Sequence, residues 1–350
     1  MSAATACAPR APHGTRGTAK RVGAPAPRSV PGVARGDAAM LVASRRAGTL
    51  VHARFDDLAH HLLPGDLLVV NTSGTLAAAL PARLEGRAVE LRISTPAPGG
   101  RWVVELRTAD LAPFPRPPVG SWVELPAGAH AELLARLAGS ERLSIARLVL
   151  PEPLEGYLAR HGRPIRYDKA EPPRPLDAYQ TVFALHPGSA EMPSAAAPFT
   201  TRLVTGLVAR GILVAPLTLH TGVSSLEHGE DPYPERYDVP PTTAWLVNAV
   251  HTHGGRVIAV GTTVVRALET VAASDATVLP GEGSTDLVVT GERGLWTVDG
   301  LLTGWHEPES SHLRLLEAAA GAQLLERSYT AAQAHGYRWH EFGDSHLILP

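Results

Sequence analysis

Among 350 residues there is a single cysteine, Cys7. One cysteine excludes an internal disulfide and any cysteine-based zinc site. Lysine is almost missing, with only Lys20 and Lys169, so arginine carries nearly all the positive charge. Together with the abundance of alanine and proline, this reads as the codon bias of a GC-rich genome rather than as chemistry. No apolar run approaches the roughly 18 residues that a membrane-spanning helix needs. An overall basic excess is also lacking. The net charge is −2, and residues 1–36 hold six basic side chains and no acid, which leaves the rest of the chain at −8. An acidic body argues against a dedicated nucleic-acid binder, which shows a basic stripe. No HExxH helix, Walker A loop, GxSxG elbow or kinase signature occurs, and GEGSTDL lacks the order of a dinucleotide-binding glycine loop.

What is present is an ordinary globular composition, 44% hydrophobic and 19% charged, long enough for one large or two medium domains. Residues 1–36 are rich in Pro, Gly, Ala and Arg without apolar period and are expected to form a disordered basic tail. Short apolar runs follow, among them MLVASRRAGTLVHARF, GDLLVVN, AVELRIS, RWVVELR, Ser121–Leu125 and Leu143–Leu150. Broken by Pro and Gly, they suggest a small β barrel or sandwich, interrupted by a helix at about Ala129–Leu137. The rhythm changes after Ala178. Helices are expected at Pro198–Arg210, Thr242–His253, Thr263–Ala273, Ser310–Ala320 and Ala322–Ala334, alternating with the buried strands ILVAPLTLH and RVIAV and a last strand at Ser345–Leu349. Alternation of helices with continuous apolar strands is the pattern of an α/β layer with a mixed or largely parallel sheet. The reading is therefore an α/β fold of residues 37–65 and 151–350, with a small β-barrel domain inserted at 66–150.

Three segments carry candidate chemistry. In VIAVGTTVVRALE a buried strand ends at Gly261 and a helix begins near Thr263. Strand C-terminal ends and helix N-termini are where open α/β sheets hold anionic ligand groups. Thr262 and Thr263 add hydroxyls and Arg266 lies one turn on; a threonine cap and a solvated arginine are the plain alternative. In LTLHTG, His220 ends the other strong strand as a candidate ligand or base, against the alternative of a satisfied half-buried histidine. In GWHEPESSH, His306 and Glu307 could do acid–base work, while Ser310 or Ser311 could cap the next helix. Close histidine pairs occur, but none has metal-site spacing, and no metal is expected.

Together, GDLLVVN, LPARLEGRAVELRI, AYQTVFA, GSAEMPSAAAPFTTRLV, LTLHTGV, ERYDVP, GGRVIAVGTTVVRALE, the stretch around GWHEPESSH and YRWHEFGDSHLIL resemble, in this order, the S-adenosylmethionine-dependent tRNA ribosyltransferase-isomerase family of queuosine biosynthesis. The resemblance runs from about Met40 to the C-terminus. It implies transfer of the ribosyl unit of S-adenosylmethionine, as co-substrate and without metal, to the aminomethyl group of a 7-deazaguanine base in tRNA. Adenine and methionine leave. It also implies an α/β domain built from both ends of the chain with a β barrel inserted. A reducing cytoplasm fits the single cysteine, and the oligomeric state is left open with a monomer favoured. The motif positions that carry over are Tyr179, Gln180, Thr181, Phe199, Thr200, His220, Gly222, Glu235, Gly261, Thr262, Thr263, Arg266, Asp299, His306, Ser310, Gly343 and Asp344. His220 and His306 are the preferred acid–base candidates, with Glu235 third.

The chain departs from the family pattern at polar positions. Asn71 is followed by TSGTLAAAL where the family has Asp-Thr-Arg, Pro198 stands for a histidine, Glu309 for a lysine and Tyr233 for a histidine. These changes leave two further readings open: the same fold using S-adenosylmethionine with a small free acceptor, or a binding protein without catalysis.

Overall fold

The computed structural model describes residues 37–114, 116–166, 172–223, 233–306, 312–339 and 341–350; the expected tail at 1–36 lies outside them. Strands β1 (Ala39–Ser44) and β2 (Thr49–Arg54) form a hairpin. β3 (Leu67–Asn71) follows, every residue of it buried. Its alternate side chains go to opposite layers, Leu67 and Val69 to one apolar core and Leu68 and Val70 to the other. That is what a strand covered on both faces requires, and it is why the run is continuously apolar.

A short β4 (Ser73–Thr75) leads into the closed barrel. Its strands are β5 (Ala79–Leu84), β6 (Arg87–Ala97), β7 (Arg101–Thr108), β8 (Trp122–Glu124), β9 (His130–Arg136) and β10 (Leu143–Val149), in the order β10-β7-β6-β5-β8-β9. Glu85 and Gly86, both at positive φ, make the two-residue turn between β5 and β6, the backbone that matches strand twist in a tight hairpin. Leu80, Leu91, Ile93, Val104, Leu106 and Leu133 fill the interior. The other face of β6 and β7 is buried but charged: Glu105 bridges Arg92, Arg107 and Arg142, and Glu90 pairs with Arg92 and Arg163.

Two expectations need correction here. The segment expected as a helix at 129–137 is strand β9, paired with β8 and β10. Its sequence HAELLAR satisfies a period of two as well as one of 3.6, with Ala131 and Leu133 pointing inward, and pairing on both sides decides for the strand. The expected barrel boundary at 66 also falls too early, because β3 pairs with strands of the large sheet and the barrel strands begin at Ala79.

After the barrel come helix α1 (Leu154–His161), β11 (His186–Ser189), which pairs with β4, and α2 (Thr201–Ala209). α2 starts at Thr201 rather than Pro198, because Thr200 caps it by accepting from the Leu203 amide at 3.1 Å. Next are β12 (Leu213–Leu219), β13 (Glu235–Val239), α3 (Pro241–Thr252), β14 (Val257–Val260), α4 (Thr262–Thr270), β15 (Gly281–Thr285), β16 (Gly300–Gly304), α5 (His312–Ala320), α6 (Ala322–Ala334) and β17 (Ser345–Leu349). The nine-stranded sheet runs β15-β13-β12-β3-β14-β16-β17-β1-β2. Its centre, β12-β3-β14-β16, is parallel, as is β17 beside β1; the remaining pairs are antiparallel. The sheet is therefore mixed, and the α/β class with a β barrel holds. α3 to α6 cover one face, and α2 with the 3-10 turn at Phe55–His60 covers the other.

Candidate active site

Because β12, β3, β14 and β16 are parallel, their C-terminal ends share one edge, the place where open α/β sheets bind ligands. Asn71, the last residue of β3, knits that edge. Its Nδ2 donates to Leu219 O at 2.8 Å and to Thr263 Oγ1 at 3.3 Å, and its Oδ1 accepts from the amides of Ser73 and Leu219, both at 3.0 Å. Four bonds from one buried amide set the spacing between the ends of β3, β12 and α4.

His220 follows β12 directly. Its Nδ1 lies 2.7 Å from Ser73 Oγ, which lies 2.6 Å from Ser189 Oγ, which in turn accepts from the Thr221 amide at 3.0 Å. Both serines are buried and His220 is half-buried. Nε2 has no protein partner among the described residues. Burial, with Arg236 and His186 adding repulsion, pushes the imidazole down to about 4, so the ring is neutral at physiological pH. Gly188 has no side chain because a Cβ there would overlap Nδ1, Cε1 and Cγ of that ring.

Glu235 opens β13. One carboxylate oxygen accepts from the Gly222 amide at 2.7 Å and the other is paired with Arg266. With both oxygens engaged, one by a backbone amide and one by a guanidinium, Glu235 is suited to positioning. Arg266 is buried rather than solvated. Its other donors go to Thr285 O at 3.0 Å and Leu287 O at 3.2 Å. Gly222 packs against the barrel, where a Cβ would come within 2.8 Å of Ser94 Oγ, and the next amide, Val223, donates to that hydroxyl at 2.9 Å.

Gly261 takes φ +101° and ψ 152°, a backbone open essentially to glycine alone. It turns the chain from β14 into α4, whose first residues are Thr262 and Thr263. No side chain caps this terminus, so its amides and positive dipole end face the same edge as His220.

The other expected residues separate into groups. His306, just beyond β16, is at this edge, with Nε2 3.1 Å from Thr303 Oγ1 and its backbone held by the Tyr329 hydroxyl. Burial, then His312 and His346, drives its pKa well down. Asp344 also adjoins the edge, but its oxygens are spent on the amides of Ala39 and Arg338 and on the Arg338 guanidinium at 2.6 Å; Gly343 precedes it. Tyr179 is buried with its ring edge-on to Phe342 at 5.2 Å. The Gln180 amide pairs with both backbone atoms of Thr75, at 3.0 and 2.8 Å, and Thr181 accepts from the Phe183 amide at 3.3 Å. Gln180 and the Tyr179 carbonyl, which accepts from Thr75 Oγ1 at 2.8 Å, brace β4, the strand that carries Ser73.

Three assignments do not gather at the edge. Phe199 is fully buried in the core, edge-on to Phe55 and Phe183. Thr200 is the cap of α2. Asp299 lies at the opposite end of β14, accepting from the Val257 amide at 2.8 Å and from His251 Nε2 at 3.1 Å. It precedes β16 rather than following it, and orientation along the strand is what separates the two edges. Ser310, with Glu307, Glu309 and Ser311, lies outside the described residues. The residues missed in the sequence are Ser73 and Ser189. Ser73 could have been found from its place two residues past the LLVVN run; Ser189 has no comparable signal. Among the described residues no group of three or more His, Cys, Asp or Glu could hold a metal ion, and no helix is long and apolar enough to cross a membrane. A shallow cavity of about 650 Å³ bordered by Thr290, Glu292, Arg314 and Glu317 includes none of the expected site residues.

Comparison with known proteins finds similarity over nearly the whole chain. The family model described as queuosine biosynthesis protein matches residues 24–348. The S-adenosylmethionine:tRNA ribosyltransferase-isomerase of Moorella thermoacetica is 37% identical over 329 residues, covering 89% of this chain and 92% of that protein. The protein of the same name from Geobacter sulfurreducens is 34% identical over 332 residues, covering 91% and 95%. Among solved structures, the S-adenosylmethionine tRNA ribosyltransferase of Thermotoga maritima is similar with a TM-score of 0.50 and 26% identity, covering 91% of this chain and 95% of that one.

Proposed function

The chain belongs to the queuosine biosynthesis protein family, and from that membership we infer that it is an S-adenosylmethionine:tRNA ribosyltransferase-isomerase. It transfers and isomerises the ribosyl unit of S-adenosylmethionine onto the 7-aminomethyl-7-deazaguanine base of a tRNA, with release of adenine and methionine. The observation that carries this reading is the match over residues 24–348, which takes in the barrel, the large sheet and every segment of its C-terminal edge.

The edge supplies groups suited to that chemistry. The methionine carboxylate of the co-substrate fits the uncapped start of α4 at Gly261–Thr263, where amides and the helix dipole favour an anion. His220 is the group we set against the reacting part of the substrate, because one nitrogen has no partner among the described residues and the ring is neutral. Glu235 and Arg266 fix Gly222 and the floor beneath it. His306, Tyr179, Gln180, Thr181, Gly343 and Asp344 complete the surroundings, mostly by holding backbone. The departures at Thr72 and Ser73 are absorbed into the frame: Thr72 bonds to Leu217 O at 3.0 Å and Ser73 to His220.

The test is adenine release from S-adenosylmethionine, resolved by mass, with and without tRNA carrying the 7-aminomethyl-7-deazaguanine base. Release that depends on that tRNA, with a matching mass gain on it, is the expected result. No release from a folded preparation, beside an active relative, would remove the tRNA reading. Binding of S-adenosylmethionine would then separate a small free acceptor from a protein that binds without catalysis.

A further inference from the structure

The hydroxyl chain behind His220 has a direction. Thr221 N–H can only donate, so Ser189 Oγ accepts it. The Ser189 hydroxyl hydrogen then has Ser73 Oγ at 2.6 Å as its acceptor, and the Ser73 hydrogen has His220 Nδ1 at 2.7 Å. In this order every hydrogen is used. If instead Nδ1 carried the proton and gave it to Ser73, either the Ser73 hydrogen or the Ser189 hydrogen would be left without an acceptor. Ser189 is 0% exposed and Ser73 1%, so that loss could not be made good by solvent. A hydrogen bond left unmade in a buried site costs enough to settle a tautomer equilibrium.

We propose that Ser73 and Ser189 are positioning residues that fix His220 as the Nε2–H tautomer, so that it meets the substrate as a hydrogen-bond donor and not as a base. This rests on the ribosyl-transfer reading. In that reaction the departing adenine needs a donor at a ring nitrogen, and a neutral imidazole N–H can supply one. Removal of the C5′ proton next to the sulfonium then falls to another group. The arrangement uses the backbone of Thr221, immediately after His220, as its anchor, so the ring and the hydroxyls that orient it move together. A threonine, a serine pair and a histidine drawn from β4, β11 and the end of β12 are brought together only by the fold.

The full-length protein, labelled with ¹⁵N-histidine, reports the tautomer directly through long-range ¹H–¹⁵N couplings, with His220 identified by its loss in His220→Gln. The expected spectrum at pH 7.5 shows His220 protonated on Nε2. In Ser73→Ala both tautomers become populated, kcat for adenine release falls by about tenfold, and KM for S-adenosylmethionine stays within about twofold. Ser189→Ala gives the same signature more weakly, and stands in if Ser73→Ala does not fold. Protonation on Nδ1 in the parent overturns the proposal, as does a serine variant with an unchanged tautomer and unchanged kcat. If the parent releases no adenine at all, the ribosyl-transfer reading falls, while the tautomer measurement still decides whether the relay sets the ring.

Discussion

At the N-terminal ends of β3 and β14, Asp66 accepts from the Arg256 guanidinium at 2.9 and 2.5 Å and from the Leu63 amide at 2.7 Å, and Asp299 accepts from Val257 and His251. At the C-terminal ends of the same strands, His220 keeps a ring nitrogen without a partner among the described residues and α4 starts without a side-chain cap. One edge satisfies its polar groups within the protein; the other leaves selected groups open, although its supports, Asn71 and Arg266, are fully bonded. Closed pairs serve stability, whereas open donors beside rigid supports are available to a ligand. The electrostatics differ in the same sense. Burial works against the charge of Asp299, but hydrogen bonds from His251 and Val257, with His251 and Arg256 as neighbouring charges, outweigh it and hold the carboxyl below its ordinary value. At the other edge burial acts on histidines and leaves them neutral.

The largest expected effect falls on the open edge. His220→Gln removes the imidazole and is expected to lower kcat for tRNA-dependent adenine release by about 100-fold, within the usual range for a proton-handling side chain. Melting should shift by only a few degrees, because His220 is half-buried and, among the described residues, its ring bonds only to Ser73 while its backbone bond to Arg236 is untouched by the substitution. Activity and thermal melts on the same preparation check both. A large fall in melting temperature with kcat preserved would place His220 among the structural residues and dissolve the contrast between the edges.

Asp299→Ala tests the closed edge. The variant leaves the buried Val257 amide and His251 without their acceptor, and is expected to cost about 2 kcal/mol in urea unfolding. At a temperature where it is folded, kcat should stay within about twofold of the parent. A loss of kcat without loss of stability would show that this end of β14 takes part in the reaction after all.

The sequence made the central strands and most helices legible because their signals are local. LLVVN and VIAV are buried at every residue, LVAPLTL on the face of Ala215, Leu217 and Leu219, and α6 occupies Ala322–Ala334 as its periodicity predicts. His220 and Gly261–Thr263 were legible for the same reason, since each closes a strong strand. Asp299 was not, because the motif containing it says nothing about which end of the sheet it meets. For Arg266 the sequence left a ligand-binding and a solvated reading side by side, because its partner Glu235 is 31 residues away, and β9 read as a helix because its barrel neighbours supply the deciding pairs. Ser73 and Ser189 are 116 residues apart in sequence, so only the fold could show their hydroxyls in line.

The smallest effect concerns a group that belongs to neither edge's polar network. His346 of β17 is 0% exposed, neither ring nitrogen has a hydrogen-bond partner, and the ring stacks on Trp305 at 4.7 Å. Burial pushes its pKa to about 3. The unfolded chain, titrating near 6.5, therefore binds more protons than the folded one between those values. Stability from this group is full above about pH 6.5 and is lost as pH falls toward 3, by about 2 kcal/mol at pH 5. His220 and His312, both pushed to about 4, act in the same direction over a narrower window, and His306, lowered by burial and by His312 and His346, does so too. His346→Leu removes two unmade hydrogen bonds but also the stack on Trp305, so a net gain of about 1 kcal/mol is expected at pH 7.5. Because leucine does not titrate, the gain should widen as pH is lowered toward 5, read by urea unfolding at both values. A variant with the parent's slope between pH 7.5 and 5 would assign the acid sensitivity to the other histidines that burial lowers, His220, His306 and His312 at the open edge and His52 and His61 away from it.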